Sequence, residues 1–99
     1  MTHSPKALPA MLTGLPSVFA REPIQFAILF GSAGRGEPFH DLDLAVLYHP
    51  GHGSLPSLLE LGVKLESAAG VWLDLVSIAE ATTAFQFEVS KGVALFGGD

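Results

Sequence analysis

"FGSAGRGEPFHDLDLAVLY", Phe30 to Tyr48, opens as a glycine-rich turn and closes as a hydrophobic strand in which one leucine separates two aspartates. Alternation along that strand puts Asp41, Asp43, Ala45 and Leu47 on one face and Leu42, Leu44, Val46 and Tyr48 on the other. In the turn, Gly31, Gly34 and Gly36 let the backbone approach a ligand closely, Ser32 offers a hydroxyl and Arg35 a cation, a combination that can hold phosphate. Other glycine loops fail on spacing. No lysine-serine or lysine-threonine follows as in a P-loop, and there is no G-x-G-x-x-G of a dinucleotide-binding turn. Phe30 also stands where a nucleophile elbow needs its first glycine.

Upstream, the apolar run Ile24 to Phe30 between Pro23 and Gly31 predicts a strand buried on both faces. Before it, Leu8, Met11, Leu12, Leu15 and Phe19 recur at helical spacing, weakened by Pro9, Gly14 and Pro16, so one or two short helical turns are expected, with a break near Pro16. Downstream, "HPGHG" at His49 to Gly53 is a turn, and Ser54 caps a helix that runs through Ala69 and closes at Gly70. Leu55, Leu58, Leu59, Leu61 and Leu65 form a broad apolar stripe on it, with Glu60 and Lys64 as an exposed pair. Val71 to Ile78 reads as a third strand, with Trp72, Asp74 and Val76 on one face. Thr82 or Thr83 caps a short helix over Ala84 to Lys91, Gly92 ends it, and Val93 to Phe96 forms a small last strand.

The pattern predicts an α/β fold, a small mixed β-sheet with helices packed on one face and the aspartates on the other. At 99 residues and 48% hydrophobic content, one domain over 1–99 is expected, with its core in 24–96 and a helical N-terminal segment in 1–23. The absence of cysteine rules out a disulfide framework, a thiolate metal site and a cysteine nucleophile, and fits a cytoplasmic location. Neither a signal peptide nor a stretch of about eighteen apolar residues is present, so no membrane role is expected. A formal charge of -5 disfavours nonspecific nucleic-acid binding. It does not exclude a nucleotide, because a carboxylate-bound metal reverses the local sign.

Asp41, Asp43 and Asp74 are the carboxylates expected within strands, and the neighbouring strand segments supply no lysine or arginine to neutralise them. Buried carboxylates are costly unless paired or bound to metal. Mg²⁺ suits them, since it takes carboxylate oxygens and leaves positions for phosphates. Asp41 reads equally as a solvated turn residue. Asp74, between Leu73 and Leu75, sits where aspartate is disfavoured, and it can share a site with Asp43 if their strands are neighbours. Arg35 reads either as a phosphate or partner contact or as a solvated turn residue. His49 and His52 read as exposed loop residues, and Trp72, Phe85 and Phe87 as core or interface.

The run "GSAGRGEPFHDLDLAVL", with Asp74 on a later strand, resembles the signature of the polymerase-beta-like nucleotidyltransferase superfamily. Within it the chain is most similar to the minimal nucleotidyltransferases, known as antitoxins paired with HEPN-domain toxins. The resemblance implies that Gly31 and Ser32 bind the β- and γ-phosphates of ATP, and that Asp41 and Asp43 bind two Mg²⁺ ions. It also implies that Asp74 shares a metal and activates the attacking hydroxyl, with AMP passing to a tyrosine of the HEPN toxin. The alternative is an antitoxin that neutralises its partner by complex formation alone. Larger relatives grip the acceptor with an added helical domain, so here a partner protein or a homo-oligomer is expected to complete the cleft. One departure stands out: His40 occupies the position before D-x-D where the family usually has serine or threonine.

Overall fold

A computed structural model of the chain describes residues 1–97. After a 3-10 turn at Pro5–Ala7 come α1 (Leu8–Leu12), α2 (Leu15–Phe19), β1 (Ile24–Phe30), the short α3 (Gly31–Gly34) and β2 (Leu42–Tyr48). They are followed by α4 (Leu55–Ala69), β3 (Leu73–Ser77), a 3-10 turn at Ile78–Glu80, α5 (Thr83–Ser90) and β4 (Val93–Gly97). The four strands form one sheet in the order β3-β2-β1-β4. β1 runs antiparallel to β2 and β4, whereas β2 and β3 are parallel, so the sheet is mixed as expected. Parallel neighbours need a long crossover, and α4 is that crossover.

The alternation in β2 decides where the core lies. Leu42, Leu44 and Val46 are fully buried and meet Leu15 and Phe19 of α2 and Leu61 and Leu65 of α4 in one cluster, joined by Ala27 and Leu29 of β1. Asp43 therefore points to the opposite face, as the period of two requires. That face is only partly covered. β1, expected to be buried on both sides, has Ala27 and Leu29 buried but Phe26, Ile28 and Phe30 half-buried and Gln25 exposed. The partial cover is α5, an addition to the helical layer on the other face: Phe85 meets the Phe30 ring edge-on at 5.4 Å, and Phe30 is the register partner of Asp43.

The termini of the longest helix follow from local chemistry. The Ser54 hydroxyl accepts from the Ser57 N–H at 3.3 Å, and the Gly70 N–H returns to the Glu66 carbonyl at 2.9 Å. Its packing face is narrower than the stripe expected. Leu61 and Leu65 are buried, whereas Leu55 and Leu59 are 66% and 64% exposed, because the row Leu55, Leu59, Val63 winds round the helix away from the sheet. Lys64 lies 3.7 Å from Glu60 as expected, and also 3.2 Å from Glu22.

The N-terminal segment forms two short helices parted at Thr13 and Gly14, close to Pro16, which sits in the first turn of α2, where an N–H has no helical partner to lose. Two further expectations are corrected. β3 is shorter than Val71 to Ile78 and forms a sheet edge, so Asp74 is exposed rather than enclosed. Trp72, just before it, is 75% exposed and is not a core residue. Among the described residues no helix is long and apolar enough to cross a membrane.

Candidate active site

β1 delivers the chain into α3 through an extended Phe30, and Gly31 then turns it with φ +69°. A Cβ on Gly31 would run into the Asp43 carboxylate, so only glycine lets the turn lie against that group. The turn is held by its own hydrogen bonds. The Arg35 N–H donates to the carbonyls of Gly31 and Ser32 at 3.1 Å each, and the Glu37 N–H to that of Ser32 at 3.0 Å. Buried Ala33 and Phe39 pin its two ends to the core. Phe39 also exchanges backbone hydrogen bonds with His3, which fixes the entry to the D-x-D stretch.

Asp43 is the central group. It is half-buried, it is the register partner of Asp74 on β3, and Asp41 stands two residues before it. Burial, and then the charges of Asp74 and Asp41, push its carboxyl above the usual carboxylate range, with Arg35 acting weakly against them. Gly31, Asp43 and Asp74 are thus brought together, while Asp41 lies exposed outside the strand. Among the described residues no three His, Asp or Glu side chains are gathered closely enough to hold a metal ion. The donors still suit a hard divalent cation: they are all carboxylate oxygens, and their mutual repulsion is what such an ion relieves.

Arg35 is exposed and makes a two-point ion pair with Glu37, Nε to Oε2 and the terminal nitrogen to Oε1, both at 3.2 Å. The Glu37 hydrogen bond, and then its charge, raise the guanidinium pKa above its ordinary value. Ser32 is half-buried within the turn. His40 is exposed, with Nδ1 3.2 Å from the Met1 carbonyl and Nε2 3.5 Å from the Thr2 hydroxyl, so its bonds go to the N-terminal segment rather than to the glycine turn. His49 and His52 are exposed in their turn, as read from the sequence.

Three residues beside the glycine turn, Glu88, Lys91 and Gly92, were not singled out as site residues in the sequence. A cavity of about 120 Å³ beside the turn is lined by Gly31, Gly34 and Arg35 on one side and by Glu88, Lys91 and Gly92 on the other. Lys91 ends α5, far along the chain, and no local motif points to it; only the antiparallel pairing of β4 with β1 brings it there.

Comparison with known proteins agrees with this geometry. Residues 15–99 match the family model described as "Polymerase beta, Nucleotidyltransferase". A solved structure described as a minimal nucleotidyltransferase is 29% identical with a TM-score of 0.76, over 91% of this chain and 93% of that one. A toxin–antitoxin structure with AMP-PNP is 28% identical with a TM-score of 0.76, over 89% of this chain and 74% of that one. A complex of tri-AMPylated Shewanella oneidensis HEPN toxin with MNT antitoxin is 27% identical with a TM-score of 0.69, over 89% of this chain and 71% of that one. A comparison with curated proteins gave no match. The glycine turn, the D-x-D strand and the parallel neighbour that carries Asp74 thus agree with a match over most of the chain, which belongs to the polymerase beta nucleotidyltransferase family.

Proposed function

We propose that the chain is a single-domain Mg²⁺-dependent nucleotidyltransferase that moves AMP from ATP to a tyrosine hydroxyl of a HEPN-type toxin, and so acts as a cytoplasmic antitoxin. The pairing of Asp43 with Asp74 beneath Gly31 carries this reading. The similar structures with AMP-PNP and with an AMPylated HEPN toxin support the donor and the acceptor. Gly31 and Ser32 receive the outer phosphates with backbone N–H groups and a hydroxyl. Asp43, Asp74 and Asp41 would hold Mg²⁺, which would supply charge compensation for the phosphates. The acceptor oxygen attacks the α-phosphorus and its proton passes to a carboxylate oxygen of Asp74. The bond to pyrophosphate breaks, and pyrophosphate leaves with the electron pair. Asp74 is exposed on an edge strand, where an acceptor from another protein can reach it.

A second reading, neutralisation by complex formation alone, draws on the wide placement of the carboxylates, two of which are exposed. Labelled ATP, Mg²⁺ and a HEPN-type partner distinguish the two. Label on the partner with wild type, and none with Asp43→Ala in an intact complex, is the expected result. An unlabelled partner that is nevertheless neutralised would establish masking instead.

A further inference from the structure

We propose that Lys91 is the second cation of the phosphate site, closing with Arg35 on the outer phosphates of the nucleoside triphosphate in the cavity beside Gly31. The inference rests on the nucleotidyltransferase reading above and adds a residue from the end of α5 to it.

The placement follows from two close approaches to one backbone group. A Cβ on Gly34 would lie 2.8 Å from the Leu29 carbonyl oxygen, and a Cβ on Gly92 would collide with the same oxygen. Two glycines therefore press on the end of β1 from two distant parts of the chain. Arg35 follows the first and Lys91 precedes the second, so both cations line the same cavity. Two of the chain's five basic residues line this one small cavity, and the carboxylate that lines it with them, Glu88, is the one paired with Lys91, so an anion that displaces Glu88 meets both cations. At about 120 Å³ the cavity is well below the roughly 300–1,000 Å³ of a pocket that encloses a whole ligand, and suits the end of one.

Both cations are held by groups that a phosphate can replace. Arg35 pairs with Glu37 at 3.2 Å, and Lys91 pairs with Glu88 at 3.4 Å. All four side chains are more than half exposed, and ion pairs of this kind are weak. Phosphate oxygens make stronger charge-assisted bonds to the same donors. The Lys91 ammonium also lies 4.6 Å from the centre of the Phe87 ring, a cation–π contact at the exposed surface.

Calorimetric titration of the full chain with ATP and with AMP, each with Mg²⁺, tests the assignment. Lys91→Met should weaken ATP binding about tenfold, the loss of one charge-assisted contact, and leave AMP binding within about twofold. Lys91→Arg should recover most of the ATP affinity. Unchanged ATP affinity in Lys91→Met, or equal losses for ATP and AMP, would overturn the role of Lys91 and leave the nucleotidyltransferase reading intact. A wild-type chain that binds no ATP would overturn both.

Discussion

Asp43 and Asp74 occupy paired positions on the parallel strands β2 and β3, so their carboxylates leave the same face of the sheet. Neither has a lysine or arginine ion-pair partner among the described residues. The turn at Gly31 lies against Asp43 at the mouth of that pair. The fold thus concentrates negative charge beside the turn that, in the proposed function, receives phosphate, and a cation would make the two compatible.

The electrostatics of Asp43 have a pH signature. Its carboxyl ionises above the ordinary 3.8 in the folded chain, because of burial and then of Asp74 and Asp41. As pH rises from 3.8 through the folded value, the unfolded chain has already lost this proton while the folded one must still give it up, so stability falls. Asp43→Asn should therefore raise the thermal midpoint at neutral pH, with the gain vanishing in acid. Mg²⁺ should raise the wild-type midpoint and move that of Asp43→Asn less. Circular dichroism melts across pH, with and without Mg²⁺, measure both, and a gain independent of pH would contradict the assignment.

Gly31→Ala combines two penalties. Left-handed backbone costs a non-glycine residue about 1–2 kcal/mol, and the new methyl strikes the Asp43 carboxylate. Gly36→Ala, at φ +75° with nothing within 4 Å of the new methyl, pays only the first. Urea unfolding should rank Gly31→Ala below Gly36→Ala in stability, and nucleotidyl transfer should fall at least tenfold in the former. Equal stability losses would mean that the turn does not rest on Asp43.

The facing of α4 is tested by two leucines two residues apart. Leu61→Ala empties a fully buried site and should cost about 2–5 kcal/mol, whereas Leu59→Ala, at 64% exposure, should change stability by at most about 0.5 kcal/mol. Similar costs in urea unfolding would place the helix in a different rotation.

Tyr48 presents a buried hydroxyl with no hydrogen-bond partner, and burial, followed by Glu22, raises its pKa. Removing the orphaned group in Tyr48→Phe should stabilise the chain by about 1 kcal/mol, a rise of about 4–8 °C in the thermal midpoint. A lowered midpoint would show that the hydroxyl makes a stabilising bond.

Some of these features were legible in the chain and others were not. β1 at Ile24–Phe30 coincides with the apolar run between Pro23 and Gly31, and α4 starts and stops at the serine and glycine that cap it. Caps and turn residues act on backbone groups within a few positions, so their effect is local and can be read locally. The exposure of Leu59 and Trp72 was not legible, because an apolar residue reads the same whether or not another element covers it. Arg35 could be singled out because it lies in the glycine turn. Lys91, equally close to the cavity, could not, because its place depends on how β4 returns along β1.

By itself the sequence determined β1, the two ends of α4, the face of β2 that carries Asp43, and the family signature from Gly31 to Asp43, since periodicity and spacing belong to the chain. Only the tertiary structure decided that β3 lies parallel beside β2 with Asp74 level with Asp43, and that α5 brings Lys91 across to Arg35. Those neighbours are chosen by the packing of Leu42, Leu44 and Val46 against α2 and α4, and by the contact of Gly34 and Gly92 with Leu29. Such contacts join residues far apart in the chain, and their energy depends on the whole assembled core rather than on any one stretch of it.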